Sequence, residues 1–192
     1  MKIDSHMIIR KYREEDEVGW VRCRVLAFLD SAYYDDVYRE KEHYSSKGIE
    51  LVADINNQIV GLLDIEYDSS TSNTGILWHL AVHPDFRRRG VAHHLLERAV
   101  EEARKVGLVR IEAWTRDDGQ AEKWYEAQGF QKTQSYHLIY MNSEEIIPEI
   151  ISSQIPQMKP MTIFAHYVGD NDTFLAQFKR VHRCSRYDLA IK

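Results

Sequence analysis

Cysteine is nearly absent from this sequence: Cys23 and Cys184 are the whole supply in 192 residues. One pair cannot make a disulfide framework, and thiols so far apart lack the spacing of a metal site. No metal is therefore expected, and a reducing cytoplasm is the expected setting. Long apolar runs are missing too. None approaches the roughly 20 residues of a membrane-spanning helix, so no membrane partner is expected. A basic excess is also lacking, with 25 Lys and Arg against 30 Asp and Glu and a formal charge of -5. That balance argues against nucleic acid, which calls for a basic face. The N-terminus carries no secretory pattern, and Ser5-His6-Met7 looks like a cloning scar. Residues 1–6 are set aside on that ground, and Met7 is taken as the natural start.

What is present reads as a globular chain: 44% hydrophobic and 29% charged residues, at a length that suits one sizeable α/β domain. Strand and helix patterns alternate without repeats or low-complexity tracts. The pattern predicts a strand over 8–12 and a helix over 15–29, with Val18, Val21, Val25 and Phe28 at helical spacing. A second, Tyr-rich helix is predicted over 32–46. Strands 49–55 and 59–67 form a hairpin around Asn56-Asn57, whose residue type supplies turn chemistry. Residues 75–82 are almost wholly apolar, as in a buried strand. Pro84 ends it, and a long helix follows to Val106, with Val91, Leu95, Ala99 and Ala103 on one face and Gly107 after it. A strand over 108–114 then completes a βαβ unit. A helix over 120–128 and a strand over 131–141 follow. Toward the end, strands are predicted over 161–168 and 186–191, with a helix over 173–181 between them.

The stretch from Leu80 to Ala92 carries the chemistry. A buried strand runs into a tight loop and the first turn of a long helix, where free amides and the positive end of the helix dipole attract anions. Gly90 and Ala92 let a phosphate approach the backbone, and Arg87, Arg88 and Arg89 add positive charge. On these grounds alone the loop is either a phosphate site or an ordinary arginine-rich helix cap.

Arg87-Arg88-Arg89-Gly90-Val91-Ala92 resembles the [Gln/Arg]-x-x-Gly-x-[Gly/Ala] loop of the GCN5-related N-acetyltransferases (GNAT family). Leu80-Ala81-Val82-His83-Pro84 is similar to the end of their bulged strand. Trp124-Tyr125-Glu126-Ala127-Gln128-Gly129-Phe130 resembles their aromatic-Tyr-Glu-x-x-Gly-Phe segment. The resemblance covers residues 7–141 and fades over 142–192, a strand-helix-strand segment expected to complete the same domain. It implies an α/β (α+β) fold with a mixed, largely antiparallel central sheet flanked by helices, plus this C-terminal extension. It also implies an N-acetyltransferase that uses acetyl-CoA as cosubstrate and moves the acetyl group to an amine by direct attack in a ternary complex.

Position by position, the resemblance implies that backbone groups of Leu80, Ala81 and Val82 meet the pantetheine arm. The loop from Arg87, Arg88, Arg89, Gly90, Val91 and Ala92 to His93 holds the pyrophosphate. Tyr125 becomes the acid that protonates the departing thiolate. Two positions depart from the family. Asp118 stands where an Asn usually contacts the cofactor, and Trp78 where many members place a Glu that acts as base.

A base is needed because an amine of pKa about 10.4 is almost wholly protonated at neutral pH. His79, Asp64 and Glu66 are the candidates, with His79 able to titrate near neutrality or simply to pack. Asp30, Asp35, Asp36, Glu40 and Glu42 alternate with Tyr33, Tyr34, Tyr38 and Tyr44 in the region the resemblance assigns to the acceptor wall. That stretch is either a solvated helix face or the binding wall of a cationic amine, on a small molecule or a peptide. A CoA-binding sensor without turnover is the alternative function. The oligomeric state stays open, with a homodimer among the options.

Overall fold

The computed structural model describes residues 7–68, 70, 72–146 and 150–191. Residues 1–6, on which the cloning-scar reading falls, lie outside them. In chain order the elements begin with β1 (Met7–Lys11), a 3₁₀ turn (Glu14–Asp16), α1 (Glu17–Phe28), β2 (Lys47–Ile55), β3 (Gln58–Tyr67) and β4 (Thr74–Val82). A second 3₁₀ turn (Pro84–Phe86), α2 (Val91–Lys105), β5 (Arg110–Thr115) and α3 (Gly119–Ala127) follow. The chain closes with β6 (Gln131–Asn142), β7 (Thr162–Tyr167), α4 (Asp172–Leu175) and β8 (Arg180–Ala190). All eight strands form one sheet in the order β1-β2-β3-β4-β5-β8-β6-β7. Only β4 and β5 run parallel; the other pairs are antiparallel. This is the mixed, largely antiparallel α/β sheet that the resemblance implies.

Local chemistry explains the predicted elements. Asn56 and Asn57 both adopt left-handed backbone, with φ of 53° and 64°, the geometry of a two-residue hairpin turn that Asn tolerates. α2 lays Val91, Leu95, Ala99 and Ala103 on one sheet face beside Leu63, Ile65 and Ile111. Gly61 permits this approach, since a Cβ there would meet Val91 Cγ1 at 2.6 Å. α1 covers the opposite face, where Trp20, Cys23 and Ala27 pack on Val52, Leu62 and Ala81.

Two predicted helices are corrected. Residues 32–46 form turns and extended chain, because the segment is rich in Tyr, Asp and Ser, weak helix formers, and its side chains are held across the fold. Asp35 grips Arg180 with both oxygens, at 2.6 and 3.0 Å, and Lys41 is buried against Glu50 at 2.6 Å. The helix predicted over 173–181 stops at Leu175, and Arg180 already begins β8. There Val181 pairs with Ile139 in a long antiparallel ladder, which suits a β-branched residue better than a helix does.

Arg10 fastens β1 to the turn before α1, donating to both Asp16 oxygens at 2.6 and 2.7 Å and to Asp54 at 2.9 Å. The hydrogen bond from Arg10 holds the buried Asp16 carboxyl below its ordinary value of 3.8. A lowered carboxyl stabilises the fold above its unfolded-state pKa, and the contribution disappears as pH falls through the folded value. Asp16→Asn should therefore cost about 2 kcal/mol at neutral pH. In denaturant titrations the gap to the parent protein should close between neutral pH and an acid pH below the lowered folded value. An equal gap at both pH values would assign the loss to packing instead.

Candidate active site

β4 and β5 pair only from Thr74↔Arg110 to Leu77↔Ala113. Beyond that point β4 continues to Val82 and β5 to Thr115 without pairing to each other. The cause is a bulge at Trp78: Ile65 faces Leu77, while the next residue of β3, Asp64, faces His79. The extra residue bends β4 away and turns His79 toward α1. A cavity of about 1060 Å³ fills the opening.

One end of the cavity meets the start of α2. Leu80, Ala81, Val82, Arg87 and Ala92 line it, with Asp118 of the α3 cap opposite. Gly90 is the α2 N-cap, at φ 84°, and no side chain caps the helix. The first-turn amides thus lack a side-chain cap, which is the condition for an anion site. The individual arginines differ in their surroundings. Arg87 donates to Ala27 O at 2.7 Å and so ties the loop to α1. Arg89 lies over the Phe86 ring, and Arg88 occupies a left-handed turn position at φ 61°. The Val91 side chain is core, leaving only its backbone for a ligand. His93 points away from the cavity lining, toward Gln128 Oε1 at 2.7 Å and Glu97 at 3.4 Å. Asp118 accepts from the Gln120 and Ala121 amides, so its carboxylate caps α3.

Across the cavity, Tyr125 sits on α3 with its ring stacked on Tyr187 at 5.4 Å and edge-on to Phe130. Its burial pushes the phenol above its ordinary value of 10.0, which keeps it protonated.

The His79 end of the cavity contains a network that sequence spacing does not reveal. His79 is 4% exposed yet lines the cavity. Its Nδ1 lies 3.0 Å from the Tyr44 hydroxyl, which donates to Asp64 Oδ2 at 3.3 Å. Its Nε2 lies 3.4 Å from Glu42. Lys41, 3.5 Å from Asp64, compensates the buried carboxylate from behind. Of the three candidate bases, only His79 reaches the cavity. Asp64 is fully buried beneath it. Glu66 is engaged by Trp78 Nε1 at 2.9 Å and by the Ser46 amide at 3.2 Å. Lys41 escapes sequence reading, and so does the link from the wall residues Glu42 and Tyr44 to His79, because both depend on a coil folding back over β3 and β4.

The acidic stretch is not a free anionic wall. Asp35 is held by Arg180 and lies 3.7 Å from Arg116, and Asp36 is 3.3 Å from Arg24. Among the described residues no cluster of His, Cys, Asp and Glu could hold a metal ion, and no helix is long and apolar enough to cross a membrane.

The sequence matches of this chain place the protein among the acetyltransferases. More narrowly, the chain belongs to the acetyltransferase (GNAT) family, which it matches over residues 5–130. It is 33% identical to an acetyltransferase of Pectobacterium atrosepticum over 119 residues, covering 60% of this chain and 80% of that protein. The fold is similar to that of yncA from Salmonella typhimurium, solved with its cofactor acetyl-CoA. That match has a TM-score of 0.61 and 16% identity, over 98% of this chain and 95% of that one. It also resembles the PaiA N-acetyltransferase of Thermoplasma acidophilum in complex with coenzyme A, with a TM-score of 0.56 and 16% identity over 67% and 91% of the two chains.

Proposed function

We propose that the protein transfers the acetyl group of acetyl-CoA directly to a primary amine of a small molecule or peptide. The observation that carries this reading is a single cavity joining the uncapped start of α2, the open edge of β4, Tyr125 and His79. The open β4 edge fits a pantetheine arm, because the backbone groups of Leu80 and Val82 lack a partner strand there. The α2 amides, with Gly90 and Ala92 beside them, fit a pyrophosphate. Bound acetyl-CoA supplies an activated thioester carbonyl at the bend in β4. The unpaired, buried thiols Cys23 and Cys184 support a reducing, cytoplasmic setting.

His79 acts as base. Because Tyr44 donates to Asp64, the His79 Nδ1–H donates to the phenol oxygen, and Nε2 keeps its lone pair for the acceptor. Nε2 removes one proton from the ammonium, and the freed nitrogen pair attacks the carbonyl carbon. The carbon–sulfur bond breaks, and Tyr125 gives its phenolic proton to the leaving sulfur. The amide nitrogen sheds its second proton, which restores Tyr125. One proton is released overall, through His79.

A buried phenol is a weak acid, so its contribution should lie at the low end for general acid catalysis. Tyr125→Phe should lower kcat about 10- to 300-fold with acetyl-CoA affinity unchanged. Because the phenol is raised above 10.0, the acid should remain competent through about pH 10. Unchanged kcat, or an alkaline decline below the ordinary tyrosine range, would remove Tyr125 from the chemistry.

A further inference from the structure

Beyond His79 the cavity has a branch that the transfer chemistry does not use. It is walled by Tyr33, Trp114, Tyr136, Leu138 and Cys184 and lies over the sheet face of β5, β8 and β6. Trp114 and Tyr136 are in ring contact at 5.2 Å. The polar atoms of the branch are already engaged. Trp114 Nε1 donates to Glu112 at 2.8 Å, Tyr136 is hydrogen-bonded to the Cys184 thiol, and Tyr33 accepts from the Arg116 amide at 2.9 Å. The Arg116 guanidinium lies 4.3 Å from the Tyr33 ring centroid and 3.7 Å from Asp35. The branch therefore presents aromatic and aliphatic faces and no free charge. At its junction with the thioester site, Arg24 and Asp36 compensate each other, while the half-exposed Glu42 meets the Tyr38 phenol and, among the described residues, has His79 as its ion-pair partner. With the imidazole neutral, the Glu42 carboxylate stands beside His79 without a cationic partner, at the point where an amine must arrive.

Resting on the proposed acetyl transfer, we infer that the acceptor is a primary monoamine with a flat apolar body. Glu42 receives its ammonium, and Tyr136, Trp114 and Leu138 receive its body. Glu42 presents the ammonium to His79 Nε2, 3.4 Å away, for deprotonation. The aromatic walls hold the body by burial and ring contact, which a polyamine chain cannot use equally well. A second cation would enter a branch whose carboxylates are already paired, losing its hydration without a new partner.

Tryptamine, butylamine and spermidine serve as probes, with thiol release from acetyl-CoA as the rate and calorimetry for acetyl-CoA binding. Tryptamine should exceed spermidine in kcat/KM by roughly tenfold or more. Glu42→Gln should raise the KM of tryptamine and of butylamine by about tenfold or more. Tyr136→Ala should cut the tryptamine-to-butylamine preference about tenfold, with acetyl-CoA affinity held as proof of folding. Preference for spermidine, an unchanged preference in Tyr136→Ala, or acetyl-CoA binding with no amine consumed would each overturn the inference while the cofactor site stands. Failure of acetyl-CoA itself to bind would remove both the inference and the function beneath it.

Discussion

Ala92→Glu should weaken acetyl-CoA binding at least roughly 100-fold, about 2.7 kcal/mol, while leaving the fold intact. Ala92 lies in the first turn of α2 and lines the cavity, with its backbone in ordinary helical geometry. A glutamate there sets a carboxylate against the pyrophosphate at the end of the helix where its dipole favours anions, and it screens the free amides. Gly90 is a less discriminating position, because any side chain at its φ of 84° strains the loop as well. Circular dichroism and calorimetry on Ala92→Glu separate binding from folding. Unchanged affinity would move the pyrophosphate away from the α2 start.

The second large effect is expected at His79. Its imidazole joins a buried relay, from Asp64 through Tyr44, to the cavity, and the other two candidate bases are enclosed or engaged. His79→Gln preserves most of the volume packed against Trp20, whose ring lies edge-on at 5.2 Å, but removes the basic nitrogen. kcat/KM for the amine should fall by about 10² to 10⁴, the usual range for a positioned base, with acetyl-CoA affinity unchanged. A loss confined to KM for the amine would make His79 a wall of the acceptor site. A loss of stability with kcat preserved would make it a packing residue.

The parts of this molecule legible in its sequence are those set by near neighbours. The Asn56-Asn57 turn, the apolar stripe of α2 and the strand-loop-helix passage through Gly90 each depend on a short window of sequence, and each forms as the residues dictate. The family motifs lie in such windows, so the loop and helix start that line one end of the cleft are readable, although spacing cannot tell which arginine serves structure. Arg87 looks like a phosphate ligand in the sequence and is anchored to Ala27 O in the fold.

The His79 end of the cleft is not readable, because long-range contacts build it. Lys41, Glu42 and Tyr44 acquire their positions from Asp64 and His79, on two other elements. The acidic run reads as a solvated helix face or as a wall for a cationic amine, whereas in the fold Arg180, from the far end of the chain, holds Asp35. The aromatic branch exists because β8 inserts between β5 and β6, a strand order that no local pattern encodes.

The most direct test of the cleft is an amide chemical-shift titration of the ¹⁵N-labelled protein with acetyl-CoA. The largest changes should fall on Leu80 to Val82, on Arg88 to His93 and on Leu77 and Ala113, where the two parallel strands part. Saturable shifts centred there would place the cofactor in the opening between β4 and β5. Shifts centred on β6 and β7 with the α2 start unmoved, or no saturable change at all, would contradict it.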